Sequence, residues 1–235
     1  MKLFTIAKTL KNKHLLAITA LCAGTIMMKS CGKTETPVQE AASVTIITAI
    51  PTLGTNNVYF GSAKANTNAL PFGGSMPYFT VATGTQTVKF TTASSTESLI
   101  SKDVSFENNT AYTLILTGRS ANPEFLVQSD AVVAPANGKA LLRFINLSPD
   151  APSLDVFVKD GASVITDRAY KASSSYIEVD AKKYIFELKE HGSGTSKTTL
   201  AETTLTAGKA YTVFAKGLLN PTEAEQPFSG QVISH

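Results

Sequence analysis

An offset of 98 to 99 residues lays the second half of this 235-residue chain over the first. Pro51, Val58, Ser75, Tyr78 and Val81 return as Pro149, Val156, Ser173, Tyr176 and Val179 at 98. Ala111-Tyr112-Thr113 and Gly118 return as Ala210-Tyr211-Thr212 and Gly217 at 99, and Asn122-Pro123 returns as Asn220-Pro221 at 98. Such a chain folds one architecture twice. The one-residue slips, near His191-Gly192 and after Gly217, fall where loops accept insertions. Pairs that recur, such as Pro51/Pro149, Tyr78/Tyr176 and Tyr112/Tyr211, are expected to close the same fold in each copy. Arg143, Asp150 and Asp155 do not recur, so their roles are expected to be local to the second copy.

The N-terminus reads as an export signal. Lys2, Lys8, Lys11 and Lys13 precede a charge-free apolar stretch from Leu15 to Met28, which is short for a membrane span. Met28-Lys29-Ser30-Cys31 resembles the lipobox of bacterial lipoproteins, whose cysteine is acylated and becomes the new N-terminus. Lys29 departs from the small residue usual at −2, and ordinary signal cleavage or an uncleaved anchor stays open as the other outcome. Residues 1–30 are thus expected to be a lipoprotein signal peptide, with Cys31 lipidated and the chain held to a membrane through that lipid.

Removing the signal changes the charge and thiol accounts. Five lysines and no acids precede Cys31, so 21 basic against 18 acidic residues becomes 16 against 18. The apparent basicity belongs to the signal, and nucleic acid loses its electrostatic argument as a partner. Cys22 leaves with the signal and Cys31 carries lipid, so no thiol remains for a disulfide, a metal or a nucleophile.

Residues 31–43 lack an apolar period and read as a tether. From Val44 onward, short β-branched runs alternate with turn residues: Val44-Thr45-Ile46-Ile47, Val58-Tyr59-Phe60, Tyr78 to Val81, Thr87 to Phe90 and Tyr112 to Leu116. The second copy repeats the plan. Leu142, Phe144 and Leu147 open it, and Leu154 to Val158 ends at the hairpin signal Asp160-Gly161. Further strands are expected at Tyr176 to Val179, Tyr184 to Leu188, Thr199 to Leu205 and Tyr211 to Ala215. The expected fold is all-β, two tandem immunoglobulin-like β-sandwiches at 44–128 and 140–235, joined by a linker at 129–139. Tyr112 and Tyr211 have the spacing of tyrosine corners, in which the phenol bonds back across the preceding turn; half-buried strand tyrosines are the alternative.

The run Arg143-Phe144-Ile145-Asn146-Leu147-Ser148-Pro149-Asp150-Ala151-Pro152-Ser153-Leu154-Asp155-Val156-Phe157-Val158 resembles the opening signature of the bacterial domain of unknown function 4397. The likeness continues through Ser175-Tyr176 and closes on Ala207 to Gly217. It covers 140–217 well and 44–118 as a degenerate copy. The resemblance implies a secreted or lipid-anchored envelope protein, often with tandem copies, and implies no activity. The Ser-Cys-Gly-Lys ending of the signal is similar to that of Bacteroidetes lipoproteins, which implies the outer membrane.

Candidate chemistry is sparse. Asp150 and Asp155 flank a turn and could hold Ca²⁺, but the first copy keeps Pro51 with Thr52 and Asn57 at those positions. Turn capping by Asp150 and a surface or Arg143-paired role for Asp155 are the expectation, with no metal and no cofactor. His191 with Ser193 or Ser196 is the only nucleophile–base pair to nominate, and a solvated hairpin loop is expected there instead; no catalytic residue is assigned. The first copy has 9 charged residues in 44–135 against 22 in 136–235. Its Thr, Ser and Asn, with Tyr59, Phe60, Phe72, Tyr78 and Phe79, could meet a glycan, although such aromatics also serve as core. The expected function is a noncatalytic, lipid-anchored cell-envelope spacer, adhesion or assembly module, with an accessory glycan-binding lipoprotein as the alternative and a hydrolase as the third and remotest. An envelope protein or a glycan is the expected partner.

Overall fold

The structure, a computed structural model, describes residues 40–52 and 54–235. The expected signal peptide, Cys31 and the tether up to residue 39 lie outside the described residues. The first repeat contains β1 (Ala41–Thr48), β2 (Asn56–Phe60), β3 (Ala63–Lys64), β4 (Ser75–Ala82), β5 (Gly84–Thr92), β6 (Ile100–Phe106), β7 (Ala111–Arg119) and β8 (Asn122–Asp130). They form one sheet in the order β4-β1-β7-β8 and another in the order β3-β2-β5-β6. Val44, Ile46, Leu114 and Leu116 of the first sheet and Val58, Val88, Phe90 and Phe106 of the second share one buried core. The expected all-β, two-sheet architecture is therefore present.

The second repeat reproduces this topology strand for strand. It contains β9 (Lys139–Asn146), β10 (Leu154–Val158), β11 (Ser163–Arg168), β12 (Ile177–Asp180), β13 (Lys183–Tyr184), β14 (Phe186–Glu190), β15 (Ser196–Thr199), β16 (Thr203–Thr204), β17 (Ala210–Lys216) and β18 (Ser229–Ser234). The sheets run β12-β9-β17-β18 and β11-β10-β14-β15, with β13 and β16 as an added pair. The first strand of each repeat lies parallel to the seventh of the plan: Val44 faces Tyr112 in β1/β7, and Leu142 faces Tyr211 in β9/β17. Those registers reproduce the 98 and 99 residue offsets.

Both tyrosines make the bond expected of a corner. The Tyr112 hydroxyl accepts the N–H of Glu107 at 3.1 Å, and the Tyr211 hydroxyl accepts that of Thr206 at 3.0 Å. Each bond ties the turn to the strand that follows it. Tyr211→Phe removes the acceptor while keeping the ring, so it is expected to cost about 1 kcal/mol. In a thermal melt that is about 2–4 °C for a domain of this size; an unchanged midpoint would reduce the corner to a steric role.

Three expected boundaries move. β1 starts at Ala41, inside the expected tether, because Ala42 is buried and the strand pairs with β4 from Ala82 onward. β8 continues through Ser129 and Asp130, which pair with Tyr112 and Ala111, so the strand occupies the first two residues expected as linker. The strand expected over Thr199 to Leu205 is broken into β15 and β16, with Leu200 between them and Leu205 after β16 buried in the core.

The four strands β1, β7, β9 and β17 are buried along nearly their whole length. A strand in a lone sandwich shows one face to water and alternates; one covered on both faces reads as a continuous apolar run. Here the second face of each sheet is covered by the other repeat. Ile47, Ala49 and Ile115 from the first repeat pack with Ile145, Leu147, Phe214 and Ile233 from the second in a third core cluster. Ile47 and Ile145, Ala49 and Leu147, and Ile115 and Phe214 are equivalent positions, so the repeats meet by the same face, as in an isologous dimer. The molecule is four stacked sheets rather than two sandwiches on a flexible string.

Candidate functional site

The junction contains a polar cluster at one edge of its apolar patch. Arg143, on β9, is 1% exposed, and its fixed fork of donors reaches three partners. Its Nε donates to Thr212 Oγ1 at 2.8 Å, one terminal nitrogen donates to Thr113 Oγ1 at 2.7 Å, and the other pairs with the Asp130 carboxylate. The same carboxylate accepts the hydroxyls of Tyr78 at 2.5 Å and Thr113 at 2.6 Å. The Tyr176 ring lies against the guanidinium, 4.8 Å from ring centre to carbon. A charge this deeply buried is tolerable only when paired and hydrogen-bonded, and the first repeat supplies both to an arginine of the second.

This geometry corrects the roles expected for several residues. Arg143 pairs with Asp130, not with Asp155. Asp155 is buried and accepts the backbone N–H of Asp167 at 2.6 Å, with His191 Nδ1 at 2.9 Å from the same oxygen. His191 is thus tied to β10, although its loop is otherwise exposed. Ser193 Oγ donates to Thr195 Oγ1 at 3.0 Å, so the nominated His–Ser pair is not assembled. Asp150 does cap backbone, accepting the N–H groups of Leu219 and Asn220 at 2.8 and 2.9 Å. Those donors belong to the loop after β17, 69 and 70 residues away, so the cap joins distant loops and not its own turn. Among the described residues no three His, Cys, Asp or Glu side chains cluster to hold a metal ion.

The five aromatics that could have met a glycan are dispersed, and two of them serve the core. Phe60 and Phe79 pack edge to face at 5.7 Å against the first core. Tyr78 enters the junction, and Phe72 lies under Lys216 Nζ at 4.0 Å. Tyr59 alone borders an open polar groove, of about 460 Å³, with Asn57 and the Ser94 to Glu97 loop. Tyr78 and Tyr176 therefore recur for the contact between copies, not for closing each sandwich.

A match to the family described as domain of unknown function (DUF4397) spans residues 42–157 and again 148–228. The chain belongs to the DUF4397 family. No curated protein sequence matches it. Among solved structures, the Bacillus anthracis TIE protein is 12% identical with a TM-score of 0.25, covering 75% of this chain and 34% of its own. An alpha-glucan-binding streptococcal virulence factor is 14% identical with a TM-score of 0.24, over 75% and 92%. A family 26 carbohydrate-binding module from Eubacterium rectale, solved with maltoheptaose, is 9% identical with a TM-score of 0.24, over 82% and 96%. The chain spans about a third of the first of these proteins. TM-scores of this size carry no argument about ligand or activity.

In this DUF4397 pair the junction also holds a titratable group. The His235 imidazole sits with Nε2 2.7 Å from Thr212 Oγ1, the oxygen that also accepts from Arg143 Nε–H. Burial, followed by the nearby Arg143 charge, pushes its pKa down to about 4 from 6.5. Between those values the unfolded chain binds a proton that the folded chain refuses, so stability falls as pH drops from 6.5 toward 4. After allowance for its partial exposure the loss is about 2 kcal/mol. Urea titrations at both pH values should show it, and His235→Gln should flatten that part of the profile.

Proposed function

We propose that this chain is a noncatalytic module of the cell envelope, held at the outer membrane through lipid on Cys31, in which the two repeats act as one stiff spacer or assembly block. The supporting observation is the junction itself: an apolar cluster and a buried ion pair, with bridges around the rim. Arg119 reaches Glu225 at 3.1 Å, Lys171 reaches Glu124 at 2.6 Å, and Gln231 donates to the carbonyl of Gly73 at 3.0 Å. Rim ion pairs contribute little singly, but together they fix one register between the repeats. Two spin labels, at Thr85 and Thr166 on the outward sheets, should give a single narrow distance distribution. A broad distribution would return the chain to two independent beads. For the anchor, Cys31→Ala should move the protein out of the membrane fraction.

A second reading, an accessory glycan-binding lipoprotein, is favoured by the polar groove beside Tyr59. A tyrosine ring beside Asn57 and the Ser94 to Thr96 hydroxyls, with Glu97 at the rim and Lys89 Nζ 4.9 Å from the ring centre, offers a flat face and polar groups to a sugar. Titration calorimetry of the chain with envelope and dietary polysaccharides tests it, and the absence of heat from all of them would remove it.

A further inference from the structure

The two repeats meet through equivalent positions, and one of the places where they diverge in chemistry lies on β1 and β4 of the first and on β9 and the segment before β12 of the second. Where the first repeat has Thr45, Met76 and Pro77, the second has Arg143, Ser174 and Ser175. The exchange lines one edge of the junction with polar groups around a pocket of about 220 Å³. Arg143 and Asp130 are its buried wall, Tyr176 flanks them, and the exposed Ser129 and Ser175 border its opening. We propose that this pocket binds one neutral sugar ring, an inference that rests on the glycan-binding reading and places its site at the junction.

The donors determine the ligand class. A guanidinium carries five N–H groups, and Arg143 makes three hydrogen bonds, to Thr212, Thr113 and Asp130, which leaves two. The Tyr176 hydroxyl is buried near the hydroxyls of Thr212 and Tyr78 but makes no well-formed hydrogen bond among the described residues. An unpaired buried polar atom is costly and asks for an occupant. Asp130 cancels the arginine's charge, and an anion entering here would meet that carboxylate. A hydroxylated neutral molecule accepts from the spare donors without this repulsion. The volume lies below the roughly 300–1,000 Å³ of drug-sized sites, which suits one ring, with the opening leaving room for the rest of a chain.

Saturation-transfer NMR on the detergent-solubilised full chain tests this with glucose, galactose, mannose and N-acetylglucosamine at millimolar concentration, and with acetate and phosphate as anions. Transfer to at least one sugar is expected. Ser175→Trp, which blocks the opening from an exposed position, should abolish it, and Tyr59→Ala should leave it unchanged. Tyr176→Phe keeps the ring and removes the donor; it should weaken binding about tenfold, a second check should the tryptophan variant misfold. Transfer that survives Ser175→Trp and vanishes in Tyr59→Ala overturns the junction site while sparing the glycan reading. Transfer to none of the sugars overturns both, because water then fills the pocket, and transfer to the anions alone overturns the ligand class.

Discussion

Asp130→Ala is expected to destabilise the chain by about 3–5 kcal/mol, read as a lowered urea midpoint. The change strips the counter-charge from a buried arginine and removes the acceptor used by Tyr78 and Thr113. Three groups lose a partner at once, which is why the effect exceeds that of an ordinary surface ion pair. The pair itself need not stabilise relative to an apolar junction. The double replacement Asp130→Leu with Arg143→Met should recover most of the loss, since burying apolar groups of similar volume avoids the desolvation cost. If Asp130→Ala alone costs less than about 1 kcal/mol, the guanidinium is hydrated and the buried pair is not what the geometry indicates.

Phe214→Ala is expected to cost a similar amount, about 3–5 kcal/mol, and to change the form of unfolding as well as its midpoint. Phe214 is fully buried, but in the cluster shared by the repeats and not in the core of its own sandwich. Truncation leaves a cavity between two bodies that each keep an intact core. The parent should unfold in one transition and the variant in two, as the sandwiches uncouple. Phe186→Ala, inside the second sandwich, serves as the comparison: its loss should fall on that sandwich's own transition. A single cooperative transition for Phe214→Ala, shifted no more than that of Phe186→Ala, would count against the shared cluster as the coupling element.

How legible all this was depends on where a residue's partners sit in the chain. The repeat and the central strands were plain because apolar runs such as the β-branched Val44 to Ile47 and the Leu114 to Leu116 stretch carry their own signal. The edge strands were weaker: β8 opens on Asn-Pro-Glu and ends on Gln-Ser-Asp, and β18 carries a glycine. Neither has the alternation of a half-buried strand, and both went unassigned. The same continuous apolar runs also held the clue to a second buried face, which a pair of separate sandwiches does not require. Asp130 was hidden for a different reason. It closes a polar stretch and finds its partners at Tyr78, Thr113 and Arg143, which no local spacing connects. Arg143 was visible as a residue that does not recur, but the expectation that its role is local to the second copy is wrong, since its charge partner Asp130 and the Thr113 hydroxyl belong to the first, and Asp155, an acid of its own motif, was the wrong partner.

The parallel pairing of β1 with β7 and of β9 with β17 also governs the order of events during folding. Ser43 waits for Ala111, and Leu141 for Ala210, so each central sheet closes over separations of 68 and 69 residues. Non-local closure of this kind makes for folding in milliseconds to seconds, not microseconds. During that interval a finished first repeat presents Ile47, Ala49 and Ile115 with nothing over them. Because the repeats meet by equivalent faces, that surface is complementary to its own copy on a neighbouring half-made chain. The bond that makes one body of two repeats is, until the second is complete, a standing invitation to mispair between molecules, and prompt delivery of β9 by a connector of only eight residues is the structural answer to it.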